Sequence, residues 1–238
     1  MLVLGMNRQT QTPGEPGEPD EKDEFYLDIL DGLARYLDNP FIADMAKAVS
    51  RYRGPYIANS LNKNQMASKK WLIDELYRAI GGGFGTGYIL GGWNGVLAAM
   101  LFQDPRFDIE RLLSIDIDPG CREVAETMNR GPLKSGRFAA VTADMYRMDY
   151  GDFGGEPAAD ILFNTSCEHL EHFAEWYTAT PRDVLMVLQS NDMVDEEEHV
   201  NCVADLEAFK QQAPMTKLLF AGALPLKRYT RFMLIGRR

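Results

Sequence analysis

Basic residues are in short supply in this chain of 238 residues, where 25 Lys and Arg stand against 35 Asp and Glu for a net charge of −10. Such a balance repels phosphate backbones and anionic headgroups, so neither a nucleic acid nor a membrane surface is the expected partner. Cysteine is scarcer still. Cys121, Cys167 and Cys202 are odd in number, lie far apart and form no C-x-x-C pair. No disulfide framework and no zinc site is expected from them, no metal is assigned, and a reducing cytoplasm fits best. Long apolar runs are missing too: none reaches the ~18 residues of a spanning helix, and residues 1–5 lack a basic flank, so neither insertion nor export is expected. Small molecules remain as partners, and nothing in the sequence bears on the oligomeric state.

What is present is a hydrophobic content of 45%, enough for one α/β domain with an appendage. Residues 7–23, including TPGEPGEPDEKD, cannot bury enough apolar area to offset ordering entropy, and 1–23 is read as a flexible tail. From there Phe25, Leu27, Ile29, Leu30, Leu33 and Leu37 recur at helical spacing up to the stop at Asn39-Pro40. A second helix is expected over 40–52. After a polar stretch, Ser68 is placed to cap a third, which carries Trp71, Leu72, Leu76 and Ile80 and ends at Gly81-Gly82-Gly83. Residues 24–80 therefore read as a helical cap.

Over 81–238, short β-rich runs alternate with helical segments. Strands are expected at 88–90, 112–115, 139–142, 161–163, 185–188, 218–221 and 232–235, and helices at 95–102, 120–129, 168–177 and 203–211. This alternation predicts an α/β fold built on a Rossmann-like, seven-stranded and mostly parallel sheet.

Three segments carry candidate chemistry. The run from Tyr88 to Met100 reads as strand, Gly-rich turn and helix, in which Gly91, Gly92 and Gly95 let the backbone approach a ligand at a helix N-terminus. Taken alone, the turn is equally a tight connection between two elements. Some twenty residues on, the next apolar strand ends in Asp116, where a Rossmann site hydrogen-bonds ribose hydroxyls. Asp118 before Pro119 reads as a helix cap. One strand later, Asp144 followed by Met145 stands at the strand's carboxyl end, placed to accept from an adenine amino group.

Together these segments resemble the class I S-adenosylmethionine-dependent methyltransferases over roughly 87–238. The resemblance implies that Gly91, Gly92 and Gly95 meet the amino-acid end of S-adenosylmethionine (SAM), Asp116 the ribose, and Asp144 with Met145 the adenine. Two positions depart from the family pattern: Ile89 stands where an acid is usual and Trp93 where the middle glycine is usual. The expected fourth strand leads into Asn164-Thr165-Ser166-Cys167-Glu168-His169, whose position overlooks the sulfonium in this fold, and the fifth ends in Gln189-Ser190-Asn191-Asp192. Asn164 is a candidate to orient an amine, and Glu168 with His169 a candidate acid/base pair; Ser166 and Glu168 equally suit the start of a helix. Trp176 or Tyr177 is a candidate to steady the sulfonium by a cation–π contact.

The preferred reading from sequence is a reaction of SAM with itself, in which the α-amine closes a ring on the γ-carbon and expels methylthioadenosine. The chain is similar in plan to bacterial azetidine-2-carboxylate synthases, and Asn164 and Ser190 would then hold the amine. The alternatives are methyl transfer to a small acceptor, and a scaffold that binds SAM without turning it over.

Overall fold

The computed structural model describes residues 21–52 and 55–238, with only the backbone of 21–24 and 55–56. Most of the expected tail lies outside the described residues. Among the described residues four helices precede the first strand: α1 Glu21–Leu37, α2 Pro40–Arg51, α3 Pro55–Ser60 and α4 Lys63–Ile80. Helix α2 starts where expected because Asn39 Oδ1 accepts from the N–H groups of Phe41 and Ile42, and Pro40 needs no such partner. Helix α4 begins earlier than the apolar periodicity suggests. Asn62 caps it, accepting from Asn64 and Gln65 N–H at 3.0 Å, whereas Ser68 lies inside the helix with its buried hydroxyl donating to Gln189 Oε1 at 3.0 Å. A first turn facing polar surroundings carries no apolar stripe, so its cap was hidden. Helix α1 also departs from expectation: it packs chiefly on α2, leaving Phe25 63% and Leu37 54% exposed.

The remaining strands and helices alternate. Strand β1 Gly83–Leu90 leads to α5 Val96–Gln103, β2 Asp108–Asp116 to α6 Gly120–Met128 and α7 Arg130–Lys134, and β3 Phe138–Thr142 to β4 Ile161–Asn164. Then come α8 Phe173–Ala179, β5 Leu185–Asn191, α9 Leu206–Gln212, β6 Lys217–Pro225 and β7 Thr230–Arg237. Strand β1 is longer than its apolar segment because Gly83, Gly85 and Gly87 mask the pattern at its start. The helix expected over 168–177 is broken: Cys167–His169 forms a single 3-10 turn, and α8 starts only at Phe173.

The seven strands lie in the order β3-β2-β1-β4-β5-β7-β6. Strands β1 to β5 run parallel, and β7 enters antiparallel between β5 and β6. Alternation places Tyr88 and Leu90 of β1 on one face, packed with Trp176 and Phe209, and Ile89 on the other, packed with Leu72, Leu76 and Leu101. Each such buried side chain contributes about 1.5–3 kcal/mol, and both faces must be covered for the sheet to persist. A third cluster, Ala48, Ile57, Val96, Val124 and Met128, fastens α2 and α3 to α5 and α6. Because β1 has β2 on one side and β4 on the other, its outgoing connection and that of β4 diverge. A crevice at the carboxyl edge results, the place where open α/β sheets bind ligands.

Candidate active site

The turn after β1 is held in a shape that few sequences adopt. Gly91, Trp93 and Gly95 have φ of 61°, 49° and 70°, all left-handed. A left-handed Trp costs roughly 1–2 kcal/mol, and tertiary bonds hold it there. Gly92 N–H donates to Ile115 O at 3.0 Å, and Trp93 N–H to Asp116 Oδ2 at 2.8 Å. Asn129 Nδ2, at the end of α6, donates to Gly95 O at 3.0 Å, and buried Asn94 donates to Ser60 Oγ at 3.0 Å. A Cβ on Gly95 would stand 2.7 Å from Asn129 Nδ2 and 2.9 Å from Ala125 Cβ. At Gly91 a Cβ would stand in ordinary van der Waals contact with Ser166 and Met145, at 3.6 Å and 4.0 Å.

Asp116 ends β2 facing this turn, its Oδ2 on Trp93 N–H and its Oδ1 accepting from Asp118 N–H at 3.0 Å. Burial pushes its carboxyl above the usual carboxylate range, and those backbone donors pull it back. The Cys121 side chain bonds it too, and a carboxylate's roughly four lone-pair sites still leave room to accept from a hydroxyl. A small cleft beside it is lined by Trp93, Ser114, Val141 and Thr142. Asp144 caps the short turn Met145–Arg147 through Oδ1 on Tyr146 N–H (3.0 Å) and lies 3.4 Å from Arg147. Met145 turns inward: its sulfur is 3.7 Å from Asn164 Nδ2, and its carbonyl accepts from Tyr150 O–H, which accepts in turn from Trp176 Nε1. Gly91, Met145, Asn164 and Ser166 thus converge at the mouth of the crevice. Asn164 Oδ1 accepts from Ser166 N–H at 3.0 Å and fixes the chain's exit from β4.

Past Asn164 the edge is built from buried charge. Glu168 and Arg231 are 2% and 4% exposed and paired at 2.6 Å, with Asn191 Nδ2 also donating to Glu168 Oε1 at 2.6 Å. The acid/base pair expected of Glu168 and His169 is not formed: Glu168 is taken by Arg231, and His169 Nδ1 lies 3.0 Å from Glu198 O. Lys69 of α4 is also buried. Burial first, and then the Arg231 charge, lowers its ammonium to about 7, and Nζ donates to Gln65 Oε1 at 2.6 Å. Ser190 is fully buried with its Oγ unpartnered. The sequence reading missed Lys69 and Arg231 because neither has a local motif: one interrupts an apolar helix face, the other opens a strand 63 residues beyond its partner.

No family model matches this chain, and no curated protein matches it in sequence. Solved structures do resemble it in shape. The N-methyltransferase NodS from Bradyrhizobium japonicum WM9, in complex with S-adenosyl-l-homocysteine, superposes with a TM-score of 0.56 at 12% identity over 82% of this chain and 100% of that one. Geranyl diphosphate methyltransferase in complex with SAM gives 0.53 at 12% over 73% and 85%. MtNAS in complex with MTA and tNA gives 0.51 at 13% over 92% and 78%. The fold is that of the class I methyltransferases.

Within this methyltransferase fold, Tyr177 is turned away from the sulfonium position assigned to it. Its ring stacks on Phe173 at 5.6 Å and its hydroxyl donates to Pro214 O at 3.0 Å, while Trp176 packs in the core under Tyr150. Both lie on the inward face of α8, where the apolar energy gained exceeds any contact they would make at the edge. The thiols are poor nucleophiles, since burial pushes both Cys167 and Cys202 upward. The 199–203 segment is fastened to the turn at 167–169 by Asn201 N–H on Glu168 O (2.8 Å) and Asn201 Nδ2 on Cys167 O (3.0 Å). No helix among the described residues is long and apolar enough to cross a membrane.

Proposed function

We propose that this chain is a SAM-dependent methyltransferase acting on a small molecule. One observation carries the reading: the left-handed turn at 91–95 closes onto Asp116 at the point where the strand order reverses, joining the two motifs expected at the methionyl and ribose ends of the cofactor. The meeting of left-handed Gly91 with Ser166 and Met145 at this edge supports placement of the methionyl part there, with Asp144 and Met145 toward the adenine. The likeness in fold to NodS and to geranyl diphosphate methyltransferase supports the same chemistry.

In that reaction the acceptor's lone pair attacks the methyl carbon in line with the C–S bond. The bonding electrons stay on sulfur, and S-adenosylhomocysteine leaves. The acceptor's proton passes to a base or to solvent. Intramolecular cyclisation is the weaker reading here. Its proposed aromatic support, Trp176 and Tyr177, belongs to the core.

Incubating the protein with SAM, with and without a panel of small acceptors, distinguishes the two. Methyl transfer gives S-adenosylhomocysteine only when an acceptor is present. Methylthioadenosine from SAM alone would overturn the proposal in favour of cyclisation.

A further inference from the structure

We propose that Glu168, His169 and His199 bind a first-row divalent transition-metal cation at the carboxyl edge of β4. Each offers one ligand atom, and these atoms lie within 4.8 Å of one another, although His199 is thirty residues from His169 in sequence. The two imidazole rings meet edge to face with centroids 4.7 Å apart. His169 Nδ1 is 3.0 Å from Glu198 O and His199 Nδ1 is 2.8 Å from Met193 O. A carbonyl oxygen only accepts, so in each neutral ring Nδ1 carries the proton and Nε2 keeps the lone pair. Backbone carbonyls that fix the tautomer in this way are the usual outer partners of metal-bound histidine.

Glu168 supplies the independent observation. Its Oε1 is saturated by Arg231 Nη1 and Asn191 Nδ2, both at 2.6 Å, while Oε2 is buried with no hydrogen-bond partner. An orphaned buried carboxylate oxygen is costly, and a cation beside two imidazoles satisfies it. Arg231 holds the Glu168 carboxylate in place at 2.6 Å, and the connecting loop beyond β5 carries Asp192, Asp195, Glu196, Glu197 and Glu198. Two imidazoles with one carboxylate select Zn²⁺, Fe²⁺, Mn²⁺ or Co²⁺ over the harder Ca²⁺ and Mg²⁺, and leave coordination positions open to outside oxygen ligands. That those positions receive an oxygen of the methyl acceptor rests on the reading under Proposed function. Cation binding itself does not.

The test is a titration of chelator-stripped protein with Co²⁺, followed by visible absorption, and with Zn²⁺, followed by calorimetry. One equivalent is expected to bind, with affinity falling at least about tenfold in His169→Ala and in His199→Ala and unchanged in Cys202→Ser. Absence of binding, binding undiminished in both histidine variants, or loss in Cys202→Ser alone overturns the proposal. SAM affinity, measured separately on stripped and loaded protein, is expected to be equal. A loaded protein that binds metal and not SAM refutes the methyltransferase reading and leaves the metal site standing. Methyl transfer that proceeds equally in stripped and loaded protein refutes the acceptor role.

Discussion

Along one edge of the same sheet, the β1–β3 end and the β4–β7 end are made of different materials. The first presents glycines, backbone N–H groups and two aspartates that spend oxygens on nearby amides. The second presents a buried ion pair, a buried lysine and two facing histidines. A backbone cradle recognises a large ligand by shape at little electrostatic expense. Buried ionised groups are costly to assemble and are worth keeping where charge or protons move. The contrast teaches that the cofactor half is legible as a motif, whereas the reactive half exists only as a tertiary arrangement.

The comparison is broken most severely by removing charge from the second half. Glu168→Ala leaves Arg231 buried and unpaired and is expected to cost about 3–5 kcal/mol in urea unfolding, with most of the loss recovered in the double variant Glu168→Gln, Arg231→Met. In the first half, Gly95→Ala forces a left-handed alanine against Ala125 and Asn129. It should cost about 2–3 kcal/mol and abolish measurable SAM binding by calorimetry. Asp116→Ala is milder for the fold and is expected to weaken SAM about 10- to 100-fold in the same measurement. Unchanged affinity would remove the ribose assignment.

Lys69 sharpens the contrast through pH. Its folded value, about 7, lies below its ordinary value near 10.4, so the unfolded chain binds more protons between the two. The penalty is therefore full below about pH 7 and relieved as pH rises toward 10, with a slope of at most about 1.4 kcal/mol per pH unit. In Lys69→Met, denaturation across this range should lose that slope. The smallest effect is expected at Ser190. Its hydroxyl has no partner to lose, so Ser190→Ala should shift stability by less than about 1 kcal/mol, and a fall in turnover would then report contact with a ligand.

Much of the architecture was readable from local pattern. Apolar runs such as 112–115 and 185–188 fall inside β2 and β5, and the glycine spacing at 91–95 marks the turn, because strand burial and left-handed backbone leave residue-level signatures. The misreadings have a common cause. A hydroxyl before an apolar stripe looks like a cap at Ser68, yet Gln189 claims it across the fold. Tyr177 has the sequence position of a site residue because its helix follows β4, yet the side of α8 it occupies faces the core. Residues 168–177 have the local pattern of one helix, yet tertiary bonds to Glu168 and His169 hold the first turn apart.

By itself, then, the amino-acid order determined the alternating strands and helices, the glycine turn and the strand-end aspartates, since each depends on neighbours a few residues away. Only the tertiary structure decided that Trp93 closes onto Asp116, that Glu168 meets Arg231 beneath Lys69, and that His199 faces His169. Those contacts join residues tens of positions apart, and their energies come from burial and charge pairing that no local pattern encodes.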